Sequence, residues 1–198
     1  MRKLCRCLKY GQMTAGDEAH LNLSTAKHVP DGRASTEWKS QLRDKLIAVG
    51  PDSKMILVGV GHPFRGDDYV GSYIAKKLMV GNHVQNIQLF DAEQDVEAII
   101  PKIQALKPKQ IMFIDSCQMN LGPGEARVIS IDDTDYPFFT THSIPLKLLV
   151  NQFLPESQCW MLAIQPEQVE ISDQLSSKVR NVADSIITLI GSTMEATA

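Results

Sequence analysis

The stretch MILVGVGHPFRGDDYVGSYIAKKLMV, residues 55–80, contains a strand, a loop and a helix in succession. Residues 55–60 form a continuous apolar run, as found in strands that are buried on both faces of a parallel sheet. Residues 73–80 have the apolar spacing of a helix. The loop between them combines several glycines with the adjacent acids Asp67 and Asp68. This order predicts one βα unit of an α/β fold, with a polar loop at the carboxyl end of its strand.

The rest of the chain repeats this alternation of strand and helix. Further strands are predicted at 86–90, 110–115, 126–131 and 159–165, and helices at 95–107, 141–154 and 175–191. The strand at 126–131 follows its predecessor too closely for a helical crossover, which favours an antiparallel orientation. The sequence therefore predicts a three-layer α/β/α sandwich around a five-stranded, mostly parallel sheet with one antiparallel strand.

Individual residues predict where several helices begin and end. Thr36, Ser143 and Ser176 are expected to cap the amino ends of their helices, since a side-chain oxygen there accepts a backbone N–H group. Gly191 is expected to end the last helix. Pro101 is expected to kink or split the helix that contains it, because proline removes a helical hydrogen bond.

Three regions are predicted along the 198 residues. Residues 1–50 are interpreted as an N-terminal extension, in which a polar lead-in precedes an amphipathic helix with Trp38 and Leu42 on one face. Residues 51–192 form the main domain. Residues 193–198 form a short tail.

The composition excludes several classes of function. With 20 basic and 23 acidic residues the formal net charge is −3, which offers no basic surface for a nucleic acid. No apolar run approaches the roughly 20 residues of a membrane span, and no signal peptide is recognisable. The four cysteines follow no zinc or disulfide spacing. We therefore expect a cytoplasmic protein that binds neither nucleic acid nor membrane.

Polar residues follow the predicted strands at the edge where parallel sheets bind ligands. They are His62 and Asp68 after the first strand, Asp91 after the second, Asp115 after the third, His142 before a helix and Gln165 after the last strand. Carboxylates gathered at one edge repel one another unless protons or a cation compensate them. The pattern predicts a divalent-metal site.

Asp67 and Asp68 are expected to have different roles. Asp67 is expected to accept N–H groups at the start of the following helix, which leaves Asp68 to point into the crevice. Asp68, Asp115 and His142 then supply two carboxylate oxygens and one imidazole nitrogen, a set suited to nickel, zinc, iron or manganese. Each of the three, taken alone, also fits an ordinary structural role in a turn or a solvated loop.

The glycines of the loop do not fit a nucleotide site. A dinucleotide fingerprint requires glycine at position 64, which is Phe64, and no Gly-Lys-Ser/Thr sequence follows as in a P-loop. Asp91 would match a ribose-binding acid only if those glycines were present. We therefore interpret the loop as a source of negatively charged oxygen ligands for a cation.

From Met55 to the final helix the chain resembles the hydrogenase maturation endopeptidases. These proteases trim the C-terminal extension from the large-subunit precursor of nickel-iron hydrogenases. The resemblance is carried by four stretches in the same order, which are GVGHPFRGDDYVG (59–71), FIDSCQMNLGPGEARVISIDD (113–133), TTHSIPLKLL (140–149) and LAIQPEQVE (162–170).

The resemblance implies the fold of these proteases and a set of catalytic and metal-binding residues. The positions that match the family's metal ligands are Asp68, Asp115 and His142. They imply an endopeptidase of the aspartic type that senses nickel already installed in the large-subunit precursor, although another divalent metal could substitute. Its partner would then be that precursor.

Two positions depart from the family pattern. His62 stands where the family usually has Asn, and we expect a turn that holds this residue in the left-handed conformation, with an extra polar contact near the metal as the alternative. Asp91, Ala92 and Glu93 replace a glycine-rich run, and we expect a loop there that contributes to the choice of substrate or partner.

Two rival functions remain open from the sequence. One is a non-catalytic nickel-binding maturation chaperone that uses the same three ligands, since no HExxH helix requires a protease. The other is a hydrolase in which a Cys117 thiolate is paired with His142. Burial of Cys117 as a small apolar side chain is the simpler interpretation of that residue.

Overall fold

The first strand of the sheet forms because residues 55–60 are apolar or glycine and every one of them is buried. The computed structural model describes residues 34–49, 53–80, 86–132, 140–141 and 144–195. The strands, in chain order, are β1 (Met55–Val60), β2 (Ile87–Glu93), β3 (Gln110–Ser116), β4 (Ala126–Ser130), β5 (Thr140–Thr141), β6 (Ile144–Pro145) and β7 (Gln158–Ile164).

Five strands form one sheet in the order β2-β1-β3-β7-β4, and β5 pairs with β6. Within the sheet β4 is antiparallel to β7 and the other neighbours are parallel. The helices are α1 (Ala34–Ile47), α2 (Val70–Val80), α3 (Val96–Leu106), α4 (Leu146–Phe153) and α5 (Ser177–Glu195). The predicted mostly parallel sheet with one antiparallel strand is confirmed.

Alternate residues of the strands point into two separate apolar cores. On one face, residues such as Leu57 and Ile114 pack with side chains of α1, α2 and α5. On the other face, residues such as Val58 and Phe113 pack with side chains of α3 and α4. Helices therefore cover both faces, and the three-layer prediction is confirmed.

Helix α2 approaches the sheet closely because two glycines face each other. A Cβ atom added to Gly71 would lie 1.9 Å from the carbonyl oxygen of Ile114 and 2.3 Å from that of Val60. A Cβ atom on Gly59 would lie 2.3 Å from the carbonyl oxygen of Gly71. No larger residue fits at either position, so the start of α2 is held against the carboxyl ends of β1 and β3.

Several predicted boundaries differ from the observed ones. Thr36 lies within the first turn of α1, so the predicted cap there is wrong, and Ser143 lies outside the described residues. The amide of Val179 does contact the Ser176 hydroxyl at 3.5 Å, as expected for a cap. Helix α3 continues through Pro101 and is not split.

The last helix also continues past its predicted end. Helix α5 runs to Glu195, beyond Gly191, because Leu189, Ile190 and Thr193 remain buried. Nothing lies within 4 Å of a Cβ atom added to Gly191, so this glycine occupies an open side of the helix. The burial of its neighbours outweighs the weak helix propensity of a single glycine.

All described residues belong to one compact unit. Trp38 and Leu42 of α1, which we assigned to an N-terminal extension, are buried in the same core as α5. Residues 193–195, assigned to a tail, are helical. The domain boundary at residue 50 stays a prediction. Among the described residues, no helix has the length and apolar character needed to cross a membrane.

Candidate active site

Asp68 and Asp115 come together at the carboxyl ends of β1 and β3. Asp68 lies in a 3-10 turn, Gly66–Tyr69, that leads into α2, and Asp115 lies near the end of β3. The Ser116 hydroxyl donates a hydrogen bond to Oδ1 of Asp68 at 3.1 Å, and the Ser116 amide donates to Oδ1 of Asp115 at 2.7 Å. Both carboxylates are half-buried. One serine therefore joins two predicted site residues that are 47 positions apart in the sequence.

Burial and the neighbouring Asp68 disfavour the negative charge of Asp115. Burial raises the pKa of Asp115 well above its usual range, the charge of Asp68 raises it further, and the hydrogen bond from the Ser116 amide only partly opposes this. Within the described part of the chain, no Lys or Arg side chain forms an ion pair with Asp68 or Asp115. A proton or a cation would relieve this repulsion.

Asp67 has a structural role, but not the predicted one. Its side chain is fully buried, and it does not cap the following helix. Instead Oδ2 accepts the amides of Glu167 and Gln168 at 2.8 and 3.0 Å, and Oδ1 accepts the amide of Ser176 at 2.7 Å. Asp67 therefore fixes the turn that carries Asp68 to the loop that follows β7.

Gln165 is a positioning residue whose role the sequence did not indicate. Its buried Oε1 accepts the amides of Met119 and Leu121 at 2.7 and 3.2 Å, and its Nε2 donates to Gln118 at 2.8 Å. These bonds hold the segment that follows Asp115. The only signal in the sequence was a polar residue directly after an apolar strand.

The third predicted ligand, His142, lies outside the described residues. In the part of the chain that the structure describes, no three His, Cys, Asp or Glu side chains are grouped so that they could hold a metal ion. Of the three predicted ligands, the structure places Asp68 and Asp115 together through Ser116. The role of His142 stays a prediction.

His62 lies in the loop after β1, where the expected left-handed conformation belongs to its neighbour. Gly61 has a φ of 147°, whereas His62 is not among the described residues with positive φ. A Cβ atom at Gly61 would lie 2.0 Å from the carbonyl oxygen of Asp68, so glycine is needed there. Nδ1 of His62 accepts the Phe64 amide at 3.2 Å. This local bond stabilises the turn without left-handed strain at the histidine.

Asp91, Ala92 and Glu93 form the end of β2, so the prediction of a loop there is wrong. Asp91 accepts the Ser72 hydroxyl at 2.5 Å and forms an ion pair with Lys76 at 3.2 Å. Burial alone would lower the pKa of Lys76, but its hydrogen bonds to Glu93 and Asp91 outweigh that effect and raise it. The role of these residues in partner choice stays a prediction.

Asp91 is also separated from the pair formed by Asp68 and Asp115. It lies opposite Gly59 on β1, and Gly59 lies opposite Ile114 on β3. Two strand spacings of about 4.8 Å therefore place the Asp91 backbone about 10 Å from that of Ile114.

Cys117 is a poor candidate for a nucleophile. It is 8% exposed, and burial together with the charge of Asp115 raises the pKa of its thiol to about 11. A thiol with such a pKa stays protonated at neutral pH, and the thiolate is the reactive form. This environment matches the apolar structural role.

Comparisons with known proteins identify a family that this chain resembles in sequence and in fold. The profile of a family described as hydrogenase maturation protease matches residues 72–193, a range that begins just after Asp68 and includes Asp115. The hydrogenase 3 maturation protease of Escherichia coli K12 is 30% identical over 136 residues, which cover 66% of this chain and 85% of that protein.

Solved structures share the fold. The solution structure of an endopeptidase HycI from Escherichia coli superposes with a TM-score of 0.61 at 28% identity, covering 70% of this chain and 90% of that chain. The crystal structure of a NiFe hydrogenase maturation protease HycI from Thermococcus kodakarensis KOD1 superposes with a TM-score of 0.69 at 20% identity. The match covers 78% of this chain and 99% of that chain.

Proposed function

This chain belongs to the hydrogenase maturation protease family and is a peptidase, and we propose that it removes the C-terminal extension of a nickel-iron hydrogenase large-subunit precursor after nickel insertion. The observation that carries this proposal is the pair of half-buried carboxylates, Asp68 and Asp115, joined by Ser116. In this account the nickel ion belongs to the substrate and arrives with it.

The donor chemistry of the pair fits a substrate-borne divalent ion. Carboxylate oxygens bind nickel, and another divalent metal of similar preference could substitute. Because burial and Asp68 raise the pKa of Asp115, this carboxyl group holds a proton more tightly than a free aspartate does. An arriving cation would displace that proton and compensate both charges. His142 is proposed as the third ligand on the basis of the sequence alone.

Cleavage requires a water oxygen to add to the scissile carbonyl carbon, the C–N bond to break and a proton to reach the departing amine. A bound divalent ion polarises a carbonyl oxygen or lowers the pKa of a water molecule. Asp68 and Asp115 would place the scissile bond beside the ion, and either carboxylate could accept the proton that the water loses.

The surrounding residues hold the pair in place. Asp67 fixes the turn of Asp68 through three backbone amides, and Gln165 fixes the segment after Asp115 through two. Gly71 allows α2 to reach the strand ends. Such supports keep reacting groups within the narrow geometry that catalysis needs.

The experiment is to incubate the purified protein with nickel-loaded precursor and to measure the masses of the products. We expect a shortened large subunit and a released C-terminal peptide with the wild type, and neither with Asp115→Asn. Binding of the precursor without shortening would instead identify a nickel-binding chaperone. Undiminished cleavage by Asp115→Asn would remove the proposed role of the pair.

The same assay tests the cysteine alternative. Because the pKa of Cys117 is raised to about 11, we expect Cys117→Ala to cleave at the wild-type rate. Loss of cleavage in this variant, with its fold intact by circular dichroism, would support the thiol mechanism.

The buried thiols of Cys117 and Cys159 are unpaired, which supports a cytoplasmic location.

A further inference from the structure

Three large apolar side chains are exposed beside the Asp68 turn. Phe64, in the loop after β1, is 62% exposed, and Val169 and Ile171, in the loop after β7, are 43% and 94% exposed. We call these three residues the apolar patch. Charged residues surround it, including Arg65, Glu170 and Asp173, all of them exposed. An exposed apolar patch with a polar rim is typical of a protein-binding surface.

The two loops that carry the apolar patch are bound to each other. The Gly66 amide donates to the Ser172 carbonyl at 2.9 Å, and the Ser172 amide donates to the Phe64 carbonyl at 3.2 Å. Arg65 and Ser172 form a parallel β-bridge. Because Phe64 and Ile171 each precede a bridged residue by one position, their side chains lie on the same side of this short ribbon.

The ribbon is also fixed to the candidate active site. Asp67 accepts three backbone amides from the loop after β7, and it is adjacent in sequence to Asp68. The Asp67 amide in turn donates to the Gln168 carbonyl at 2.9 Å. The apolar patch and the Asp68 carboxylate are therefore parts of one hydrogen-bonded unit.

We propose that the apolar patch binds an apolar segment of the hydrogenase large-subunit precursor and so places its scissile bond at Asp68 and Asp115. The inference rests on the proposed function and adds the surface that recognises the substrate. Asp68 and Asp115 offer only charged oxygens, so binding energy for orientation must come from contacts away from the reacting atoms. The patch supplies such contacts on the same rigid unit.

The size of the patch favours a substrate segment over a second copy of the chain. A stable protein interface uses about 20–30 residues on each side. Three side chains are too few for such an interface, but they suffice to anchor a short segment of a client protein whose remaining contacts lie elsewhere.

The first test measures KM and kcat for cleavage of the nickel-loaded precursor. We expect Ile171→Asp to raise KM about tenfold to a hundredfold while kcat stays within about twofold, and Ile171→Leu to restore the wild-type KM. Val80→Asp is the matched control, because Val80 is 89% exposed at the opposite end of α2. Equal KM values for Ile171→Asp and Val80→Asp would overturn the inference.

The second test identifies the occupant directly. A photoreactive p-benzoylphenylalanine replaces Ile171 in the full chain, and the crosslinked peptides are identified by mass in the presence of the precursor. We expect crosslinks to an apolar segment of the precursor. Crosslinks only to a second copy, or only to residues 1–33 of the same chain, would overturn the inference.

Failure of the proposed function gives a different result. A wild-type protein that binds the precursor without cleaving it would contradict the peptidase mechanism, yet weaker binding by Ile171→Asp than by Val80→Asp would still support the patch. Normal cleavage with equal binding by both variants would reject the patch and leave the proposed function standing.

Discussion

Among the residues that the structure describes, four carboxylates lie at one edge of the sheet, and two of them have partners there that the other two lack. Asp67 accepts three backbone amides, and Asp91 binds Lys76 and Ser72. Asp68 and Asp115 share a single serine, and the pKa of Asp115 is raised by burial and by Asp68. The difference separates carboxylates that hold the fold together from the two that we propose bind the substrate.

This contrast has an energetic meaning. A buried carboxylate with hydrogen bonds or a cation contributes to stability, whereas two adjacent carboxylates without a cation oppose it. We expect a site that binds a charged ligand to lower the stability of the fold in this way. Asp67 and Asp91 should therefore affect stability when substituted, and Asp68 and Asp115 should affect activity.

The largest effect is expected on cleavage when either member of the pair is changed. Asp68→Asn and Asp115→Asn keep the shape of the side chain but remove its charge, and each should slow cleavage roughly 10²- to 10⁴-fold, about 3–5 kcal/mol in the barrier. Single-turnover rates with nickel-loaded precursor measure this. The matched control, Asp91→Asn, should cleave within about twofold of wild type, and an equal loss in the control would erase the distinction between the two sets.

The next largest effect is expected on stability at Asp67. Asp67→Ala removes three hydrogen bonds from backbone amides to a buried carboxylate, and a hydrogen bond to a charged group contributes about 1.5–3 kcal/mol, so we expect the free energy of unfolding to fall by about 3 kcal/mol or more. Urea unfolding measures this change. Asp68→Ala should destabilise the fold far less, and similar losses in both variants would contradict the structural role given to Asp67.

The pH dependence of stability distinguishes Asp115 next. Its folded-state pKa is raised, so the folded protein binds more protons than the unfolded chain, and stability should fall as pH rises from about 4 through the folded pKa of Asp115. Asp115→Asn cannot titrate, so its stability relative to wild type should increase over that window. Asp68→Asn should change the dependence in the same direction but less, because burial is the larger cause of the shift. A difference in the free energy of unfolding between Asp115→Asn and wild type that is constant with pH would contradict the raised pKa of Asp115.

The smallest effect is expected at Asp91. Asp91→Asn keeps an acceptor for Ser72 but loses the ion pair with the half-exposed Lys76, and we expect a loss of about 1 kcal/mol in the free energy of unfolding. Glu93→Gln, at a more exposed partner of the same lysine, should lose less. A loss at Asp91 as large as that at Asp67 would show that its partners hold the edge more firmly than the contacts indicate.

The sheet was predictable because its central strands are buried on both faces. Residues 55–60 of β1 are all apolar or glycine, and residues 111–114 of β3 are all apolar, so both runs indicate buried strands without reference to the rest of the sequence. The proximity of Asp68 and Asp115 was predictable for a similar reason, since the carboxyl ends of parallel strands meet at one edge, and their catalytic and metal-binding roles stay predictions.

The supports of the site were not predictable because their partners are distant in sequence. Asp67 bonds to residues about 100 positions away, and no local pattern separates that role from a helix cap. The last residues of β2 are polar and indicated a loop, but Asp91 and Glu93 pair with Gly59 and Val60 of β1 and so continue the strand. Their side chains bind α2, Asp91 through Ser72 and Lys76 and Glu93 through Lys76.

The strand that pairs with β4 was also not predictable from the local sequence. The short connection after β3 indicated an antiparallel strand but not its position, and β4 pairs with β7 at the edge of the sheet. Gln165, at the end of β7, holds both sides of this connection through Met119 and through backbone bonds with Gly124 and Glu125. These contacts hold the connection that crosses the end of β7, so that β4 lies on the side of β7 opposite β3.

The most direct test of the central claim compares cleavage of nickel-loaded and nickel-free precursor by the wild-type protein. If Asp68 and Asp115 lack a cation until the substrate brings one, the nickel-loaded form should be cleaved and the nickel-free form should remain intact under the same conditions. Equal rates for the two forms would contradict the account.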